Sequence, residues 1–203
     1  MQLKLTRKTW CVFGYKEGGK SILGKFIGSA YAEKCLYYDT LHEIPTSAKF
    51  HSYTPKNRQS IAELEMVIGL IKKNKRYRMF IIDEANRFCK PKPTTLPQAV
   101  ADLNDWCRHP QYNLSVGYIA RRPVQLNTDL TEIADYLFIF QLGGVNDIKY
   151  LNSMRSGLGD MVQNLPKYHF VVVRPDRTWQ VMTPVNIDKV FIGSDTGSLT
   201  AIF

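Results

Sequence analysis

The chain lacks paired cysteines. Its four, Cys11, Cys35, Cys89 and Cys107, never stand in a C-x-x-C arrangement, which argues against a structural zinc site. The histidines His42, His51, His109 and His169 are scattered and supply no metal-ligating spacing. Cys11 and Cys35 fall in apolar runs and read as small core residues, so a reducing compartment is expected. No apolar run approaches the roughly 20 residues of a membrane span. The N-terminus has no apolar core of a secretory signal, so none is expected. Internal repeats, low-complexity tracts and linkers are also missing. Acidic residues are in short supply, 18 against 27 Lys and Arg, for a net charge of +9. That excess favours a polyanionic partner, and nucleic acid fits it.

What is present is a globular composition, 44% apolar and 22% charged, in 203 residues expected to form one domain over 1–203. The chain is organised around Gly14-Tyr15-Lys16-Glu17-Gly18-Gly19-Lys20-Ser21, which reads G-x-x-x-x-G-K-S. This is the phosphate-binding P-loop pattern, or Walker A. Thr9 to Phe13 before it suits a buried strand, and Ile22 to Ile27 after it suits a helix. In that context glycine-turned backbone N–H groups surround phosphate oxygens, and the helix aims its positive end at the same anion. Lys20 is expected to reach the terminal phosphates of ATP, and Ser21 to bind Mg²⁺.

Tyr77 to Glu84 is the second anchor, an apolar run that ends in Asp83-Glu84. It reads as a central parallel strand with an acidic tip, the Walker B pattern. Asp83 is assigned to Mg²⁺ and Glu84 to the attacking water. Further strands are expected over 34–39, 113–120 and 135–140, with a C-terminal hairpin from Tyr168 to Val173 and Trp179 to Met182. Residues 1–8 read as an edge strand or a short arm. Residues 40–58 read as irregular. Ser60 with Glu63 predicts a capping box, and Ile61, Leu64, Val67, Ile68 and Ile71 a core helix face. A helix is predicted from Pro97 to about His109, and a short one from Asn146 to Met154. Tyr37 and Tyr38 read as core and surface strand residues. The basic segment 87–95, with Arg87, Lys90 and Lys92, reads as a mobile connector or a DNA-contacting loop. The tail after Ile192 is small and polar.

Alternating strands and helices around a P-loop predict a RecA-like α/β sandwich with a mostly parallel central sheet. Within it, Leu114 to Ala120 runs into Arg121-Arg122-Pro123, which resembles the end of the corresponding strand in FtsK–HerA motors. Arg108 stands where those motors carry an arginine finger, and the terminal hairpin is also similar. Arg121 replaces the sensor glutamine of that superfamily, whereas Arg122 matches the family arginine. A compact basic version resembles the genome-packaging ATPases of turreted icosahedral viruses of Sulfolobus. The resemblance implies a homo-oligomeric ring, a hexamer, that drives double-stranded DNA into a capsid. It also implies capsid or vertex proteins as partners and a place in the host cytoplasm or at the virion vertex. The catalytic candidates are then Lys20, Glu84, Arg108, Arg121 and Arg122.

Rival readings are a HerA-like translocase in repair or conjugation, a small-molecule P-loop kinase, and a DNA-binding protein with an unused P-loop. A kinase excludes water from the transferred phosphoryl group, whereas Asp83-Glu84 suits hydrolysis. The complete set of Lys20, Ser21, Asp83 and Glu84 argues against an unused loop.

Overall fold

The computed structural model describes residues 2–185 and 198–200. The P-loop strand β2 (Thr9–Phe13) lies in the middle of an eight-stranded sheet. The sheet also contains β3 (Cys35–Tyr38), β4 (His51–Tyr53), β5 (Met79–Ile82), β6 (Ser115–Ile119), β7 (Tyr136–Phe140), β8 (Phe170–Val173) and β9 (Trp179–Met182). Its order is β4-β3-β5-β6-β2-β7-β8-β9. From β4 to β7 every pairing is parallel, and β8 and β9 are antiparallel. A separate pair joins β1 (Gln2–Lys4) to β10 (Ser198–Thr200), so the N-terminal segment is a strand. The expected reading of the remaining tail falls outside the described residues.

The central strands are apolar on both faces because both are covered. Alternate residues of β2 divide between two cores. Cys11 and Phe13 belong to the larger one. It is closed by α2 (Ile61–Asn74), α3 (Gln98–Trp106), α4 (Thr128–Ile133), α5 (Val145–Met154) and α6 (Leu158–Gln163). Trp10 and Val12 face the other core, where α1 (Lys20–Tyr31) packs with Leu3 and Leu5. Cys11 and Cys35 are fully buried, as their surroundings in the sequence predict. Among the described residues no helix is long and apolar enough to cross a membrane.

Several expectations need correction. The stretch 40–58 contains the edge strand β4, too short to show an alternation in sequence. Tyr38 is buried like Tyr37, because α2 and Phe88 close over its face of the sheet. Ile61 is 43% exposed, since it starts α2 before the helix meets the sheet. Only half of the capping box forms: Ser60 Oγ accepts from Glu63 N at 3.2 Å. The Glu63 carboxylate instead accepts from Lys56 N, Asn57 N and the Tyr53 hydroxyl. The short helices α4 and α6 were not anticipated. The segment 87–95 is tethered at several points. Asn127 Nδ2 donates to the carbonyls of Lys90 and Thr94, each at 3.0 Å. Lys92 pairs with Asp129 at 2.6 Å.

Candidate active site

Because β2, β3, β5, β6 and β7 are parallel, their C-terminal tips share one edge of the sheet, where ligands of open α/β folds bind. The P-loop leaves β2 at this edge. Glu17 at φ 63° and Gly19 at φ 108° are left-handed, which turns successive N–H groups into the concavity. A side chain on Gly19 would also meet the ring of Phe140 at 2.9 Å. Helix α1 starts with no side-chain cap and no acid in its first turn. Its leading N–H groups therefore suit an anion. Lys20 Nζ donates to the Tyr15 carbonyl at 2.8 Å, within the loop itself. Burial pulls the Lys20 ammonium below its ordinary range, against the opposing pull of Glu84 and Asp83. A cleft of about 270 Å³ is lined by residues 17–22 and by Tyr168.

Asp83 lies at the tip of β5 and is 4% exposed. Its oxygens accept from Glu84 N at 2.8 Å and the Tyr37 hydroxyl at 3.2 Å. Burial pushes its carboxyl up to about 6, while those hydrogen bonds pull the other way. Glu84 and Glu43 push its carboxyl the same way, and its charge in turn acts on the Lys20 ammonium. A buried carboxylate beside other acids and next to a phosphate-binding loop suits a divalent cation. Mg²⁺ needs only one or two protein oxygens when substrate phosphates and waters complete its shell. Asp83 with Ser21 fits that requirement.

Glu84 follows in a left-handed conformation, φ 50° and ψ 39°. Arg121, at the tip of β6, holds its carboxylate with both ends: Nε to Oε1 at 3.2 Å and an NH2 to Oε2 at 3.2 Å. Arg87 Nε also lies 3.5 Å from Oε2. Thus Lys20, Asp83, Glu84 and Arg121 come together. Arg122 turns away into an ion pair with the fully buried Asp147 at 2.7 Å. Arg108 is at the opposite end of the sheet, where it donates to Thr9 Oγ1 and the Ile133 carbonyl, both at 2.9 Å, and faces Asp135. The sequence reading did not anticipate Tyr37, Arg87 or Tyr168 at the site. Arg87 is three residues beyond Glu84 on a short 3-10 turn, a spacing that could have flagged it.

No protein-family model and no curated protein matches the chain. The fold is similar to that of the genome packaging NTPase B204 from Sulfolobus turreted icosahedral virus 2 in complex with ATP-gammaS. That match has a TM-score of 0.73 at 19% identity, over 89% of this chain and 98% of the other. The fold is that of a RecA-like P-loop NTPase. B204, the DNA-packaging ATPase from Sulfolobus Turreted Icosahedral Virus, gives a TM-score of 0.70 at 19% identity, over 90% of this chain and 100% of that one. The N-terminal domain of zonular occludens toxin from Neisseria meningitidis has the same fold with a TM-score of 0.58 at 11% identity, over 91% of this chain and 96% of its own. The likeness carried by the P-loop, the Asp83-Glu84 tip and the β6 arginines is thus matched at the level of the fold.

Proposed function

We propose that this P-loop NTPase hydrolyses ATP with Mg²⁺ and uses the cycle to move double-stranded DNA into a viral capsid, as a homo-oligomeric ring of hexameric type. The observation that carries the reading is the meeting of Lys20, Asp83, Glu84 and Arg121 at one sheet edge. Near full-length likeness to packaging NTPases supports the motor assignment, and the +9 charge supports a nucleic-acid partner.

The roles follow from the contacts. P-loop N–H groups and the start of α1 receive the phosphates. Lys20 exchanges the Tyr15 carbonyl for phosphate oxygen, a charge-assisted contact of higher strength. Ser21 and Asp83 hold Mg²⁺, which when bound neutralises charge on the terminal phosphates. Glu84 orients water and takes its proton. That role requires Arg121 to loosen its two-point hold, and a side chain 54% exposed has room to turn toward a γ-phosphate. The sensor role expected of Arg121 and the base role of Glu84 are therefore one exchange.

The test is phosphate release from ATP with and without Mg²⁺ and double-stranded DNA. DNA is expected to accelerate release and to bind less tightly as salt rises, because counterion release drives such contacts. Lys20→Ala weakens ATP binding. Glu84→Gln keeps binding and loses about 10²–10⁴ in turnover. Near-parent turnover in Glu84→Gln sinks the base assignment, and indifference to DNA sinks the motor.

A further inference from the structure

The P-loop accounts for the phosphates of a nucleotide but not for its base. Beside it, the cleft of about 270 Å³ has, among the described residues, one lining residue from outside residues 17–22, namely Tyr168. Two large apolar side chains border this cleft and remain open to solvent, Tyr168 at 42% and Ile22 at 40%. Tyr168 is also conformationally unusual. It is the third residue of a turn closed by His169 N donating to the Pro166 carbonyl at 3.1 Å. Its φ is 66°, a value such turns ordinarily give to glycine or asparagine. Fold stability does not call for an exposed tyrosine in a left-handed position, and such outliers gather where ligands bind. Lys167 Nζ lies 4.9 Å from the ring centroid, which leaves a second face for another flat group.

We infer that Tyr168 is the nucleobase platform: the base stacks on its ring, with Ile22 bordering the same cleft. The inference rests on the nucleotide reading of the P-loop proposed above. It also sets the substrate class. Lys20 and Ser21 are committed to phosphate and metal, so Glu17 is the lining side chain left to read a base edge. Stacking tolerates any base because every base has a π face. The site therefore accepts nucleoside triphosphates with little discrimination between bases, adenine and guanine included.

The experiment measures dissociation constants for ATP, GTP and inorganic triphosphate on the full chain and on Tyr168→Ala, Tyr168→Gly and Tyr168→Trp. Loss of a stacked base weakens ATP and GTP about tenfold in the Ala and Gly variants. Inorganic triphosphate, which occupies only the P-loop, is expected to bind them all equally. Tyr168→Gly separates the ring from the backbone, since glycine accepts the left-handed turn freely. Tyr168→Trp retains affinity and gives a fluorescence change on adding ATP beyond that of the parent. Unchanged ATP affinity in the Ala and Gly variants overturns the inference, as does equal weakening of inorganic triphosphate. A parent that prefers one purine by more than about a hundredfold overturns the stacking-only recognition. A parent that binds inorganic triphosphate but gains nothing from the base overturns the platform and leaves the P-loop reading standing. A parent that binds neither overturns both.

Discussion

Asp83 shows how a site residue acts on stability. Burial raises its carboxyl from 3.8 to about 6, so the folded state binds the proton more tightly than the unfolded chain. Its contribution is therefore most favourable below about pH 4, is lost as pH rises through about 6, and stays lost above that. A shift of this size corresponds to about 3 kcal/mol, as an order of magnitude. Asp83→Asn is expected to raise the Tm of the nucleotide-free protein in chelator at pH 7, and the gain should vanish toward pH 4. Thermal unfolding across that range checks it. An Asn variant less stable than the parent at pH 7 would mean that the hydrogen bonds from Tyr37 and Glu84 outweigh burial. With Mg²⁺ and ATP the order should reverse, because ligand binding adds more stability to the parent than to a variant that has lost the Asp83 contact to Mg²⁺.

Among the elements, the junction of β2 and β6 decides the geometry of the candidate site, since both strands lead into its residues. Trp10 and Gly117 are register partners across it. A Cβ on Gly117 would lie 2.1 Å from the Trp10 ring. Glycine usually weakens a strand interior, but here it makes room for a fully buried indole that also meets Phe138 edge-on at 5.9 Å. Gly117→Ala is expected to cost about 1–3 kcal/mol or more through overpacking. Adding Trp10→Phe should return part of that loss, and the indole Nε1 it removes has no hydrogen-bond partner among the described residues. Chemical denaturation of the two single variants and the double variant measures the coupling. Simple additivity would show that the two residues do not share the space.

At the scale of the whole molecule, the sheet separates Arg108 from the P-loop of its own chain. Arg108 is anchored beside Thr9, where β2 begins, and the P-loop starts where β2 ends. Five residues of strand span about 16 Å, too far for one side chain to serve that site. A catalytic role for Arg108 therefore has to act across a subunit boundary. Lys20→Ala and Arg108→Ala are each expected to be inactive, and mixing them to restore part of the hydrolysis, since some boundaries then pair an intact Lys20 with an intact Arg108. Fingers of this kind contribute about 10³ or more to rate. Mixed rings that stay inactive would reduce Arg108 to a structural guanidinium that ties α3 to the starts of β2 and β7.

The sequence by itself determined the features that depend on local order. The P-loop spacing, the apolar run into Asp83-Glu84 and the strand ending in Arg121 follow from neighbouring residues, because a turn, a helix start and a strand tip are short-range structures. Most strands were legible for the same reason: their apolar runs are long enough to stand out. What only the tertiary structure decided is which side chains meet. Arg121 and Arg122 are adjacent in the chain but point to different partners, Glu84 and Asp147. Arg87 read as part of a mobile connector or a DNA-contacting loop, and its side chain faces Glu84. Tyr168 is some 150 residues from the P-loop and is brought to it only because β8 pairs antiparallel with β7 and therefore starts at the P-loop edge of the sheet. Strand order and direction set such meetings, and they arise from packing both faces of the sheet at once, which no local pattern encodes.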